Sequence, residues 1–156
     1  MADHAIQFTV NGREHSGHSE ARKTLADYLR EDCGLTGTHL GCEHGVCGAC
    51  TVQVDGEPVR ACLMFAVQTA GRSVRTVEAM APSEHELHPL QQAFHEEHAL
   101  QCGFCTAGFL MTLEPFLRDR PDASEEEIRE AVAGNLCRCT GYEGIVAAVR
   151  KAGAAS

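Results

Sequence analysis

Long apolar runs are missing from this sequence. The longest cover only a few residues, far short of the roughly 20 that a bilayer-crossing helix needs, so a membrane span is excluded. Basic charge is also scarce: Lys and Arg total 13 against 22 Asp and Glu, a net charge of −9. A chain this acidic is a poor match for the phosphate backbone of a nucleic acid. The opening residues, Met1 to Gln7, lack a basic stretch followed by an apolar one. No secretory signal is therefore read, and the expected location is the cytoplasm. No phosphate-cradling glycine loop, no Gly-x-Gly-x-x-Gly fingerprint and no Ser/His/Asp arrangement occurs, so no substrate chemistry is expected of this chain alone. Tryptophan is absent and tyrosine occurs twice, yet hydrophobic residues make up 44% of the 156 positions, enough for a core. The length suits one medium domain or two small ones.

What the chain does hold is cysteine: nine, at positions 33, 42, 47, 50, 62, 102, 105, 137 and 139. An odd number cannot pair completely within one chain. In a reducing compartment disulfides are rare, and clustered cysteines are more often metal ligands.

The first half reads as strands and turns with one helix. Ile6, Phe8 and Val10 alternate with Gln7 and Thr9, the pattern of a half-buried strand, and Asn11-Gly12 signals a hairpin turn. Leu25, Tyr28 and Leu29 stand at helical spacing, with Thr24 and Asp27 suited to a cap. Residues 50–54 alternate again, Asp55-Gly56 turns the chain into Pro58 and Val59, and Val74 and Thr76 suggest a last short strand. Residues 81–86 have linker composition. Beyond them about four short helices are expected. Pro89 suits a first helical position before Leu90, Ala93 and Phe94. Phe109, Leu110, Leu113, Phe116 and Leu117 form an apolar face that ends before Pro121. Ser124 and Glu127 make a capping box ahead of Ile128, Ala131 and Val132, and Ile145, Val146 and Val149 mark a final helix. The expected fold class is α+β, with a strand-rich half over 1–80 and a helical half over 81–156.

The cysteines fall into two sets. Cys42, Cys47, Cys50 and Cys62 read Cys-x4-Cys-x2-Cys-x11-Cys, and the first three match the plant-type [2Fe–2S] spacing. A loop rich in Gly41, Gly45 and Gly48 folds tightly around a small inorganic core, because no Cβ keeps backbone N–H groups from the sulfides. Those donors favour the added negative charge of a reduced cluster. Cys62 returns from the end of the hairpin as the fourth ligand. A structural zinc site is the alternative. Cys102, Cys105, Cys137 and Cys139 read Cys-x2-Cys-x31-Cys-x-Cys, a spacing that leaves zinc and iron–sulfur both open. The first pair opens a helix, whose free N–H groups and positive dipole end favour thiolates. Cys33, just before Gly34, reads as a small buried hydrophobe at a helix end.

Three motifs carry a family resemblance. Gly41-Cys42-Glu43-His44-Gly45-Val46-Cys47-Gly48-Ala49-Cys50-Thr51-Val52 resembles the first cluster motif of the molybdenum hydroxylases. Gln101-Cys102-Gly103-Phe104-Cys105-Thr106 and Gly134-Asn135-Leu136-Cys137-Arg138-Cys139-Thr140-Gly141-Tyr142 resemble the second. The chain is similar to the small iron–sulfur subunit of bacterial enzymes related to xanthine dehydrogenase, aldehyde oxidoreductase and aerobic carbon monoxide dehydrogenase. The resemblance implies a ferredoxin-like β-grasp domain followed by a four-helix domain, each with one [2Fe–2S] cluster. All four cysteines of the second set become ligands on that reading. It further implies a molybdopterin cofactor, in some relatives the cytosine dinucleotide form, bound mainly by a large subunit and touched by Gln101 and Cys139. FAD would sit on a medium subunit, and the whole would form a dimer of heterotrimers. Electrons would pass from molybdenum through the helical-domain cluster and the ferredoxin-like cluster to FAD. Ala107 stands where the family usually has proline, and Gly134 where many relatives have a larger polar residue. Neither position supplies a ligand.

The remaining candidates read more simply. His39 and His44 lie near the first motif, yet both cysteine sets are complete without them, and solvated loop histidines are expected. The same holds for His85, His88, His95 and His98. Arg138 is expected to touch a cofactor phosphate or a salt-bridge partner, and Phe104 to shield the second cluster from water. Glu125, Glu126 and Glu127 complement a helix dipole. The alternative functions are a free-standing two-cluster ferredoxin-type carrier and a zinc module without a redox role.

Overall fold

The structure, a computed structural model, describes residues 3–154. Met1 and Ala2 of the leader reading, and the outermost residues of the two halves, lie outside that range. Strand β1 (Asp3–Val10) pairs antiparallel with β2 (Arg13–Glu20) through Asn11 and Gly12, at φ 51° and 77°. Two central residues with positive φ twist a two-residue turn the way the strands twist, as the Asn-Gly pair foretells. Ile6, Phe8 and Val10 are buried while Gln7 faces solvent. Helix α1 (Leu25–Glu31) starts at Thr24, whose hydroxyl accepts from the Asp27 amide, and buries Leu25, Ala26, Tyr28 and Leu29 against the sheet.

Strands β3 (Thr51–Val54) and β4 (Glu57–Arg60) form a second hairpin around Asp55 and Gly56, at φ 54° and 87°. Strand β5 (Ser73–Arg75) lies between the hairpins, parallel to β1 and antiparallel to β3. The mixed sheet has the order β2-β1-β5-β3-β4. One expectation fails here. Alternation over 50–54 predicts a half-buried strand, yet all four residues of β3 are buried. The polar face of the strand is covered by the helical half. Gln53, 2% exposed, points at a helix and not at water.

That half contains α2 (Pro89–Glu96), α3 (Thr106–Asp119), α4 (Glu125–Ala133) and α5 (Glu143–Ala154). Pro89 opens α2 and the Ser124–Glu127 capping box opens α4, both as expected. The cap of α2 is His88, whose ring nitrogen accepts from the Leu90 amide. A second core forms from Leu90, Phe94, Phe109, Leu113, Ile128, Ile145 and Val149. No described helix is long and apolar enough to cross a membrane.

The halves are joined by polar contacts around α3. Pro115, inside α3, has no N–H to give the Met111 carbonyl four residues earlier. Gln53 Nε2 fills that place, donating to Met111 O at 3.2 Å and to Glu114 Oε2 at 2.9 Å. Arg75 pairs with Glu114 at 3.1 Å. Nearer the start of α3, a Cβ on Gly108 would lie 2.2 Å from the Gly48 carbonyl oxygen. Only glycine lets the helix rest on the loop that carries the first cysteines.

Candidate metal centres

The first cysteine loop is built from irregular backbone. Glu43, Gly45 and Gly48 all have positive φ, at 57°, 83° and 74°. These bends turn successive N–H groups toward one sulfur. The Cys47 amide donates to Cys42 Sγ at 3.3 Å, and the His44 and Val46 amides act in the same direction. Together they hold the Cys42 thiol at about 6, against 9.0 for an ordinary one. Cys50 lies at the other side of the set, pushed up to about 11 by burial and the adjoining Cys62. Cys50 and Cys62 are both buried. The packing at Gly41 is close too: a Cβ there would come 3.2 Å from Cys47 Sγ and 3.4 Å from the Phe104 ring.

The second set converges from two segments. Cys102 and Cys105 stand at the mouth of α3, and Cys137 and Cys139 occupy the loop between α4 and α5. Cys139 Sγ lies 3.6 Å from Cys102 Sγ, and Cys105 adjoins Cys137. Burial, with Cys137 adding to it, pushes Cys105 up to about 12. Burial acts on Cys137 too, but the Thr140 hydroxyl at 3.1 Å and amide at 3.5 Å outweigh it and hold that thiol below its ordinary value.

Both sets therefore gather as two neighbouring pairs: Cys42 with Cys47 and Cys50 with Cys62, then Cys102 with Cys139 and Cys105 with Cys137. Paired thiols and a cradle of N–H and O–H donors fit a binuclear iron–sulfur core, in which each iron takes two thiolates and the charge is met by hydrogen bonds.

The two loops touch. The Leu136 amide donates to the Cys47 carbonyl at 2.8 Å, and Asn135 Nδ2 donates to the Gly48 carbonyl at 3.1 Å. Arg60 donates to both Thr51 Oγ1 and the Gly134 carbonyl. His39 Nδ1 meets the Phe104 carbonyl at 2.7 Å, and the two rings stack at 4.9 Å. None of these links is legible in the spacing of cysteines. His39 is thus not a free loop histidine; it ties the first half to the second cysteine loop. His44 binds within its own loop, at the Cys42 carbonyl. Phe104 is 47% exposed, so within this chain it shields little. Among the described residues no ion pair engages Arg138, which is exposed. Gln101 Nε2 donates to the Cys139 carbonyl at 3.0 Å, so the two expected pterin contacts sit side by side. Cys33 stays apart from both sets. It is half-buried, not fully buried, its sulfur is 3.7 Å from His15 Nε2, and burial followed by Asp32 pushes it up to about 11.

Known proteins are similar to this chain. A family model described as "2Fe-2S iron-sulfur cluster binding domain" matches residues 8–73, and one described as "[2Fe-2S] binding domain" matches residues 76–150. Caffeine dehydrogenase subunit gamma of Pseudomonas sp. (strain CBB1) is 57% identical over 153 residues, covering 96% of this chain and 91% of its own. The nicotine 6-hydroxylase small subunit of Paenarthrobacter nicotinovorans is 58% identical over 144 residues, covering 92% and 86%. In the crystal structure of quinoline 2-oxidoreductase from Pseudomonas putida 86, one chain superposes with a TM-score of 0.95 at 51% identity, covering 98% of this chain and 94% of that one. The chain belongs to the family of small iron–sulfur subunits of the molybdenum hydroxylases. It is an oxidoreductase subunit with two regions for [2Fe–2S] binding.

Proposed function

We propose that the chain passes electrons from a molybdopterin site, through two [2Fe–2S] clusters, to FAD on a partner subunit. Cys42, Cys47, Cys50 and Cys62 would hold one cluster, and Cys102, Cys105, Cys137 and Cys139 the other. Each cluster supplies a one-electron redox step when bound. The chain's own residues do the rest. Amides of Cys47, His44 and Val46 stabilise negative sulfur in the first loop, and Thr140 does so in the second. Asn135 and Leu136 fix the two loops against each other. That contact between the loops is the observation that carries the reading, because single electrons step only between centres held close and still.

On this reading residues 1–80 form a ferredoxin-like β-grasp domain and 81–156 a helical bundle domain. Gln101 and Cys139 face the pterin on a large subunit, and a medium FAD subunit completes a cytoplasmic heterotrimer that dimerises. Three relatives above 50% identity are named for caffeine, nicotine and quinoline. That supports an aromatic N-heterocycle as the substrate class of the parent complex. Purification from the native source tests the assembly: the chain should travel with two larger subunits and flavin. A lone small species would support the ferredoxin-type carrier instead. Turnover of N-heterocycles but not simple aldehydes by that complex would support the substrate class, and the reverse preference would overturn it.

A further inference from the structure

Among the described residues, one buried side-chain polar atom has no hydrogen-bond partner: the hydroxyl oxygen of Thr106. Several other buried or half-buried threonines find acceptors. Thr51 donates to the Gly48 carbonyl at 2.7 Å, and Thr69 to the Ala66 carbonyl at 2.7 Å. Thr112, further along α3, donates to the Gly108 carbonyl four residues back, the usual resort of a hydroxyl on a helix. Thr106 is the first residue of α3 and has no helical turn behind it. The Gly103 carbonyl, three residues back, accepts from its backbone amide and not from its hydroxyl.

The position of the hydroxyl narrows what it serves. It follows Cys105 directly, and Cys105 adjoins Cys137 within the second set. Thr140 already shows what a hydroxyl does there, since it donates to Cys137 Sγ at 3.1 Å. The large majority of buried polar groups in native proteins are satisfied, by protein, by ordered water or by a bound ion or cofactor. No cysteine sulfur bonds this hydroxyl, so we infer that Thr106 donates a hydrogen bond to an inorganic sulfide of the helical-half cluster and raises that cluster's reduction potential. The inference rests on the cluster assignment proposed above. A donor to sulfur favours the reduced form, which carries the added negative charge. Thr106 is thus a positioning and tuning residue for electron entry, and supplies no ligand.

The test is an EPR-monitored redox titration of the intact complex carrying Thr106→Val or Thr106→Ser. Valine keeps the shape and removes the donor. The helical-half cluster should become harder to reduce by about tenfold in its equilibrium, which is about 59 mV for one electron. The Ser variant should titrate as the wild type does, and the other cluster should not move in either. Pulsed EPR of the wild type in deuterated water should show an exchangeable deuteron coupled to the helical-half cluster that the Val variant lacks. An intact cluster with an unmoved potential and the same deuteron coupling overturns the inference. Should the Val variant fail to load iron, comparison of the Ser and Ala variants decides in the same way. A wild-type complex without a second iron–sulfur signal overturns the cluster assignment itself, a different outcome from an unmoved potential.

Discussion

The amide nitrogen of Leu136 lies 2.8 Å from the carbonyl oxygen of Cys47. One hydrogen bond thus joins a cysteine of the first set to the residue just before Cys137 in the second. Beside it, Asn135 is 1% exposed, donates to the Gly48 carbonyl at 3.1 Å and accepts from Thr112 at 3.1 Å. Asn135→Leu should keep the branched outline, add some volume and lose both bonds. The Gly48 carbonyl keeps Thr51 and the Thr112 hydroxyl keeps the Gly108 carbonyl, so the loss is the net worth of the two bonds, about 0.5–1.5 kcal/mol each. Chemical denaturation should show that loss, and transient kinetics should show slower electron passage between the two centres. Unchanged stability and rate would count against the contact.

Gly108→Ala probes the same junction from α3. The new Cβ would lie 2.2 Å from the Gly48 carbonyl oxygen and 3.0 Å from Ala49 Cα, and backbone on both sides leaves little room to yield. Overpacking of this kind costs about 1–3 kcal/mol. The informative result lies in the other half of the molecule. The first cluster's EPR line shape should change, although Gly108 belongs to the helical half.

Cys47→Ser should remove the first cluster and block flavin reduction. It leaves the Cys47 backbone carbonyl in place, and with it the bond from Leu136. The second cluster's signal should therefore persist. Loss of both signals would show that the two centres do not assemble independently.

The cysteines should also differ in reactivity once the clusters are stripped with chelator under reducing conditions. Backbone amides hold Cys42 at about 6, while Cys50 and Cys105 are pushed up to about 11 and about 12 by burial and neighbouring thiols. Alkylation followed by mass spectrometry should label Cys42 first, with a half-maximal rate near pH 6. Cys50 and Cys105 should stay unlabelled across the neutral range. The sign for stability follows. A thiol whose folded value is depressed stabilises the fold above its unfolded value near 9.0 and loses that contribution as pH falls through about 6. Equal labelling of the three cysteines would contradict the loop geometry.

Local signals were the legible ones. Asn11-Gly12, Asp55-Gly56, Thr24, Pro89 and the Ser124–Glu127 box each act within a few residues, and each appears where expected. The grouping of the cysteines was legible in spacing for the first set, and for the second only through the family resemblance. Contacts between the halves were not. Nothing near Gln53 in sequence says that Pro115, some sixty positions later, frees a carbonyl for it. For the same reason β3 reads as half-buried and is wholly buried. His39 and Thr106 belong with these, since their roles come from what the other half, or the cluster, brings to them.

The central claim is that the eight cysteines of the two sets hold two separate [2Fe–2S] clusters. EPR of the anaerobically purified, dithionite-reduced complex, with iron and acid-labile sulfide counted on the same sample, tests it most directly. Two distinct [2Fe–2S] signals of equal intensity are the predicted result. A colourless small subunit holding zinc, with no iron, no sulfide and no signal, would contradict it.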